Sequence, residues 1–507
     1  MRTLTKVGSI AVLFLAISSG IAALFLASSP TIQGSTLRVR ALPSIDTQHF
    51  KLDIHEYSIS DQRGEANNAK TIGGGAFIPH NGAIFYATSS GVFWEINPKS
   101  ISLRKNILPP LDLGHSTFPR SKNITYRETF PRLCDITLSN GTFYVSYNKY
   151  HSGIDRVRFE IASLNPKDAS PNWEVIYTSP FLDVPYYTIG DGGKLLVSDG
   201  YLYFTLGDYS LDRQNNLPSD FAAQNGALPW GKVNRLDLND LRHSIYSLGH
   251  RNQQGLMKLN GGAMLATEHG PRGGDEINLI EPGKNYGWPY VSLGSLYGQF
   301  GQILPETQRA ESSRNEFENP LYAFLPSVAP TQIIEITAFD PAWEGNLVMA
   351  SLKAMSLYRI GLNGKNVKYI EPIYIGQRIR DIKQVAEVLF LLTDNGQFLE
   401  IRKNQQKAPD QLPNSLARCS VCHQPEDASH ARFGPDLRSV WGRRVASAPF
   451  PGYSGALKEK QAAVWDERQL RLFLSKPNEF APGTSMPDML LSRAELDAII
   501  KDLKKLR

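Results

Sequence analysis

Five consecutive residues, Cys419-Ser420-Val421-Cys422-His423, carry the most specific chemistry in this chain of 507 residues. Two thiols three positions apart can add to the two vinyl groups of one haem, and the imidazole that follows can meet the iron from the same turn. A zinc site would need further Cys or His ligands, and with three cysteines in all no fourth thiol exists to complete one. The third, Cys134, sits in the apolar run Leu133-Cys134-Asp135-Ile136 and is expected to be a small buried hydrophobe. A second group is polar and basic. Gly249-His250-Arg251-Asn252-Gln253-Gln254-Gly255-Leu256 precedes Glu268-His269-Gly270-Pro271-Arg272-Gly273-Gly274-Asp275-Glu276-Ile277-Asn278, and Asn285-Tyr286-Gly287-Trp288-Pro289 follows. Such a density of polar groups suits a ligand-binding mouth.

The elements that must position these groups show as a recurring pattern. A turn residue precedes a short apolar run in Gly82–Thr88, Gly141–Ser146, Gly200–Thr205, Gly262–Thr267, Gly345–Ser351 and Ala386–Thr393. Several copies are followed by a second strand, as in Gly91–Ile96 and Gly396–Ile401. Six like units at irregular spacing fit one four-stranded blade each, an all-β six-bladed propeller over residues 48–402. Because the apolar runs do not alternate, each is expected to be an inner strand buried on both faces. The composition changes after Ile401. Residues 403–412 form a polar linker, and helical spacing takes over within 413–507, where Ser492 and Glu495 make a capping box ahead of Leu496, Ile499, Ile500 and Leu503.

Downstream of Cys419-Ser420-Val421-Cys422-His423, the chain carries Gly434-Pro435-Asp436-Leu437, Trp465 with Leu470 and Phe473, and Pro482-Gly483-Thr484-Ser485-Met486-Pro487. In these motifs residues 413–507 resemble the class I cytochrome c family, a small all-α domain. The resemblance implies Cys419 and Cys422 as haem attachment points and His423 and Met486 as axial ligands, with Met489 and His430 as rivals. It also implies that the Pro435 carbonyl accepts the His423 ring N–H. His/Met ligation favours Fe(II) relative to two imidazoles and leaves the iron no open position, which suits electron transfer.

The run from Gly249 to Pro289 resembles the soluble pyrroloquinoline quinone (PQQ) glucose and aldose dehydrogenases, the glucose/sorbosone dehydrogenase family. The resemblance implies that Arg251 and Asn252 contact the quinone ring of PQQ. Lys353, Arg378 and Arg380 would hold its carboxylates and quinone oxygens, and the Gly270 and Pro271 carbonyls would ligate a Ca²⁺ with Asp275 supporting the loop. Two positions depart from the family. Its hydride-abstracting His falls at Gly190, in Ile189-Gly190-Asp191-Gly192-Gly193-Lys194-Leu195, and a sugar-contacting Gln falls at Phe130. Asp208 matches the partner carboxylate of that His, and Asp191 and His115 are candidates to replace it as base.

Net charge of +5 is too small to argue for nucleic acid. Arg2 and Lys6 precede an uncharged run from Val7 to Ala27, long enough to span a bilayer as a helix. An N-terminal transmembrane anchor over 1–28, then a polar linker over 29–47, is expected, with everything beyond it on the outer, periplasmic side; a signal peptide cleaved near Gly20 or Ala22, with secretion to the periplasm, is the alternative. The expected partners are a sugar or other alcohol, a downstream cytochrome or oxidase, and the inner membrane. A propeller that has lost catalysis and serves as a docking module is the alternative.

Overall fold

The computed structural model describes residues 35–61, 75–105, 107–118, 131–183, 190–213, 221–294 and 317–404. In the C-terminal part it describes 414–416, 419, 423, 434–450, 452–484, 486, 489 and 491–506. Six antiparallel sheets among these residues stand around one axis. Their innermost strands are Ala76–His80, Leu133–Ser139, Gly192–Ser198, Gln253–Lys258, Pro330–Glu335 and Ile379–Val385. Each touches the innermost strand of the next blade, and the sixth returns to the first, so the ring is closed.

All six apolar runs form strands, but they stand second from the axis and not innermost. They are Ala83–Ala87, Thr142–His151, Tyr201–Leu206, Met264–Glu268, Leu347–Ser351 and Val388–Thr393. The second strand is covered on both faces by neighbouring blades, so every residue of Met264–Glu268, Leu347–Ser351 and Val388–Thr393 is buried. The innermost strand faces the axis and can carry polar groups there: Lys194 lies 3.6 Å from Asp135 and 3.7 Å from Asp381, joining blades two, three and six.

The ring closes with an N-terminal strand. Lys51–Asp61 pairs with Phe398–Lys403 and so completes the sixth blade, and Ser35–Asp46 adds a fifth strand outside it. Residues 35–46 are therefore strand and not the expected linker; the alternation Leu37, Val39, Ala41 has the period of two that an edge strand needs. Leu52, Ile54, Trp343, Val348, Leu391 and Ile401 form one apolar cluster across the closure. Each buried side chain of this size stabilises by about 1.5–3 kcal/mol.

The C-terminal part is helical. Asp466 caps Glu467–Ser475 by accepting from Gln469 N, and Ser492 with Glu495 makes the expected capping box on Arg493–Lys505. Ile499, Ile500 and Leu503 pack with Leu416, Trp465, Leu470 and Leu474, and Leu496 lies partly buried against them. Among the described residues no helix is long and apolar enough to cross a membrane. The expected anchor at Val7–Ala27 lies outside the described residues.

Candidate functional site

In an antiparallel blade the start of the first strand and the end of the second lie at the same end of the propeller. The chemistry collects there. Arg132, Gly190 with Asp191, Arg251 with Asn252, and Arg378 with Arg380 lie at the starts of innermost strands, while Asn148, Asp208, His269, Lys353 and Asp394 lie toward the ends of second strands or just past them.

Blades three and four meet through the backbone at this end. Asp208 N of blade three donates to Arg251 O of blade four at 2.7 Å, and within blade three Tyr209 N donates to Gly190 O at 3.1 Å. A Cβ on Gly207 would fall 1.8 Å from Gly190 O, so only glycine lets these segments touch. A Cβ on Gly190 would fall 3.0 Å from Asp208 Oδ1 and 3.9 Å from Asn252 Cβ. The position expected to hold the base thus aims at Asp208, as the sequence mapping implies, and carries no side chain. Asp208 is buried; its Oδ2 accepts from Trp288 Nε1 at 2.9 Å and its Oδ1 from Ser210 N at 2.9 Å.

Asp191 does not occupy the missing position. Its two oxygens accept Arg132 Nη2 at 2.6 Å and Nε at 2.7 Å, and Asn148 Nδ2 lies 3.1 Å from Oδ2. His115 is bonded through Nε2 to the Pro131 carbonyl. Phe130 lies outside the described residues. Cys134 departs from the buried-hydrophobe expectation: it is half-buried, with Asp191 Oδ2 3.8 Å and Asn148 Nδ2 3.7 Å from Sγ. Burial and the Asp191 charge push its thiol up, the opposite of a reactive thiolate.

Blade four supplies Arg251 and Asn252 on a braced backbone. Glu268 accepts Arg251 N and lies 3.0 Å from His250 Nδ1, and Ser247 Oγ lies 2.9 Å from His250 Nε2. Behind them Lys232 donates from Nζ to the carbonyls of Ala222, Ala223 and Trp230, each at 2.8 Å. Burial pushes that ammonium down to about 7. Asn252 Oδ1 accepts from Gln254 Nε2 at 2.7 Å and from Gly192 N at 3.3 Å. His269 Nε2 faces the Pro330 carbonyl at 2.7 Å and so must carry the proton, which leaves Nδ1 as an acceptor facing Asn252 Nδ2.

Asp275 supports a loop. Its Oδ1 accepts Gly270 N at 3.0 Å, and its Oδ2 accepts Val328 N and Ala329 N at 2.7 Å each. The Gly270 carbonyl, expected to ligate calcium, accepts Arg251 Nη1 at 2.9 Å, and His269 O accepts the same nitrogen at 2.7 Å. Arg251 Nη1 thus lies against one of the two carbonyls expected to ligate a calcium ion, an oxygen that keeps a second lone pair. Among the described residues no cluster of three His, Cys, Asp or Glu side chains is placed to hold a metal.

Blades five and six complete the ring of cations. Lys353 is exposed, and its ammonium has no partner among the described residues. Arg378 Nε donates to Asp394 Oδ2 at 2.9 Å, and Arg380 Nη2 to Asp394 Oδ1 at 2.5 Å. Burial would push the Asp394 carboxyl up, but Arg380 and Arg378 outweigh it and hold it at about 2. Asp394 and Arg132 were not among the residues expected from the sequence; each is a single charge in an unremarkable strand context, and only the ring brings them to the mouth. The donor set fits PQQ, because three carboxylates and an o-quinone need cations converging from several sides.

The haem site is local. Pro435 O can only accept, so His423 Nδ1, 2.7 Å away, carries the proton and Nε2 is left for the iron. A Cβ on Gly434 would fall 2.5 Å from the His423 ring, so glycine is what allows the loop to hold the imidazole face. His423 N donates to Cys419 O at 2.9 Å, the helical turn that sets thiol and imidazole on one side. Cys419 is buried, and Met486 packs partly buried against the apolar cluster of Trp465, Leu470 and Phe473. These residues fit a haem. Cys422 and His430 lie outside the described residues, and Met489 is described but not part of that cluster.

The pattern of the glucose/sorbosone dehydrogenase family matches residues 133–400, more than half of the chain. The chain belongs to that family. An aldose sugar dehydrogenase of Escherichia coli is 30% identical over 253 residues, 44% of this chain and 64% of that protein. Quinoprotein glucose dehydrogenase B of Acinetobacter calcoaceticus is 27% identical over 421 residues, 67% of this chain and 85% of that protein. Cytochrome c2 of Agrobacterium tumefaciens is 36% identical over 89 residues, 17% of this chain and 80% of that protein, so the C-terminal part is a cytochrome c. The crystal structure of a soluble aldose sugar dehydrogenase from Escherichia coli has the same fold, with TM-score 0.52 at 23% identity, covering 73% of this chain and all of that one. This glucose/sorbosone dehydrogenase relative spans 47% and 64% of the length of two of the curated proteins it matches.

Proposed function

We propose that the chain is a quinohaemoprotein dehydrogenase that oxidises an aldose or other alcohol at the propeller mouth and passes the electrons to its own haem c. The observation that carries this is the convergence of Arg251, Asn252, Lys353, Arg378 and Arg380, from three blades, at the end where Asp208 is buried beside Gly190. PQQ, when bound, supplies a two-electron acceptor, and the haem a one-electron carrier. Lys353 offers an unengaged ammonium to a carboxylate, and Asp394 fixes the forks of Arg378 and Arg380. Asp208 Oδ1, unscreened by any side chain at Gly190, is the proton acceptor for the substrate hydroxyl. A Ca²⁺ at the Gly270 and Pro271 carbonyls, the place the resemblance implies, would share the Gly270 oxygen with Arg251 Nη1.

Fusing the electron acceptor to the dehydrogenase raises its effective concentration over a free cytochrome. The basic residues Arg2 and Lys6 before an uncharged 21-residue run support export to the periplasmic side of an inner membrane, with a cytochrome or oxidase as the next acceptor. The empty base position favours a second reading, a docking propeller without catalysis. One experiment separates the two: PQQ is titrated into the haem-loaded full chain, with a panel of aldoses and alcohols, while the haem spectrum is read. Haem reduction that requires both PQQ and a substrate is expected. A chain that binds no PQQ and keeps a normal His/Met haem spectrum is an electron carrier with a docking propeller.

A further inference from the structure

Arg132 is a fifth cation at the mouth, and neither the assigned PQQ contacts nor the proton acceptor uses it. One edge of its guanidinium is held in a double hydrogen bond by Asp191, at 2.6 and 2.7 Å. Asp191 is in turn held by Asn148 Nδ2 at 3.1 Å, and Asn148 Oδ1 by Tyr209 Oη at 2.7 Å. Asp191 is 1% exposed and the Arg132 side chain 16% exposed, so the brace is buried and the arginine is covered over most of its length. Among the described residues Arg132 Nη1 has no partner. The charge of Asp394 also favours the Arg132 cation, but the Asp394 oxygens are already committed to Arg378 and Arg380.

A buried ion pair is a poor stabiliser, since well-packed apolar residues of the same volume do as well or better. A fork held rigid by an aspartate, an asparagine and a tyrosine from two blades is, however, what a recognition site requires. Its free edge matches a carboxylate, which takes two parallel N–H donors from a guanidinium. Asp191, which holds the other edge, follows Gly190 directly in the chain, and Gly190 stands beside Asp208. An alcohol placed with its hydroxyl at Asp208 would present its neighbouring substituents to Arg132.

We infer that Arg132 is a specificity residue and that the mouth selects alcohols bearing a carboxylate, hydroxy acids of the aldonic type, over neutral sugars. This rests on the mouth being the substrate site of a dehydrogenase, and binding tests it apart from turnover. The affinities of D-gluconate and of sorbitol, a neutral counterpart of equal length, are measured by calorimetry on the haem-loaded full chain with PQQ. Gluconate is expected to bind at least about tenfold tighter, the worth of a hydrogen bond to a charged group, and Arg132→Gln to remove that preference while PQQ affinity stays within about twofold. Equal affinities in the wild-type chain overturn the inference without any variant, so a misfolded R132Q does not shield it. A preference that survives in folded R132Q also overturns it, as does a tenfold loss of PQQ affinity there, which would assign Arg132 to the cofactor. Gluconate preference without haem reduction by gluconate or any aldose sinks the dehydrogenase reading and leaves this assignment standing.

Discussion

The two candidate redox regions of this molecule are built in opposite ways. The haem site is assembled from neighbours in sequence: one helical turn joins Cys419 to His423, and Gly434 with Pro435 closes on the imidazole from a dozen residues away. The propeller mouth gathers Arg132, Asp208, Arg251, Lys353 and Arg380, more than two hundred residues apart at the extremes, and depends on ring closure to bring them together. A local site stands or falls with single residues, because each has one irreplaceable job. A converging site spreads its binding over many cations, so loss of one is graded.

That contrast can be broken most directly at the haem. Cys419→Ala, together with Cys422→Ala, should abolish covalent haem, read as loss of haem staining after denaturing electrophoresis; haem that persists on the denatured chain would contradict the attachment. At the mouth the largest single effect belongs to Asp208. Asp208→Asn should slow substrate-driven haem reduction by about 10²–10⁴-fold with PQQ affinity unchanged, and a rate near wild type would move the proton acceptor elsewhere.

Graded behaviour is expected of the cations. Arg251→Gln or Lys353→Met should weaken PQQ by about 10–100-fold each, the worth of one charge-assisted hydrogen bond, in absorbance titrations with the haem spectrum unchanged. An all-or-none loss at Lys353 would make the mouth as brittle as the haem site.

Smaller effects concern stability. The folded-state value of Asp394, about 2, lies below its unfolded value near 3.9. Its contribution is therefore complete above about pH 4 and is lost as pH falls toward 2. The wild-type advantage over Asp394→Asn, on the order of 2 kcal/mol at pH 7, should shrink over that window in denaturant titrations. An advantage that grows on acidification would reverse the sign and refute the ion-pair account. Ser492→Ala, which removes one half of the capping box, should cost about 1 kcal/mol, seen as a lower Tm of the C-terminal part and no change in PQQ affinity.

Much of the architecture was legible in the chain itself. Six apolar runs marked six blades, since a strand buried on both faces cannot carry alternating polarity. Their place in each blade was not legible: the innermost strand looks out on an axis that can hold Asp135, Lys194 and Asp381, so the most apolar strand is the one behind it. Ser35–Asp46 was expected as linker, because an edge strand with one face in solvent carries little apolar signal. The cytochrome c motif needed no tertiary context, as thioether and imidazole chemistry is set by spacing of a few residues.

Sequence by itself thus pointed to His423 and Met486 as candidate haem ligands, and it carried the blade count, the family-like cations and the absence of a side chain at Gly190. Only the tertiary structure decided what surrounds that gap. It set Gly190 against Asp208, tied Asp191 to Arg132, and put the Arg251 guanidinium against the Gly270 oxygen. The physical reason is range. Covalent attachment and strand burial are encoded by neighbours along the chain, whereas the charge that meets a given carboxylate is fixed by which blades the closed ring puts side by side.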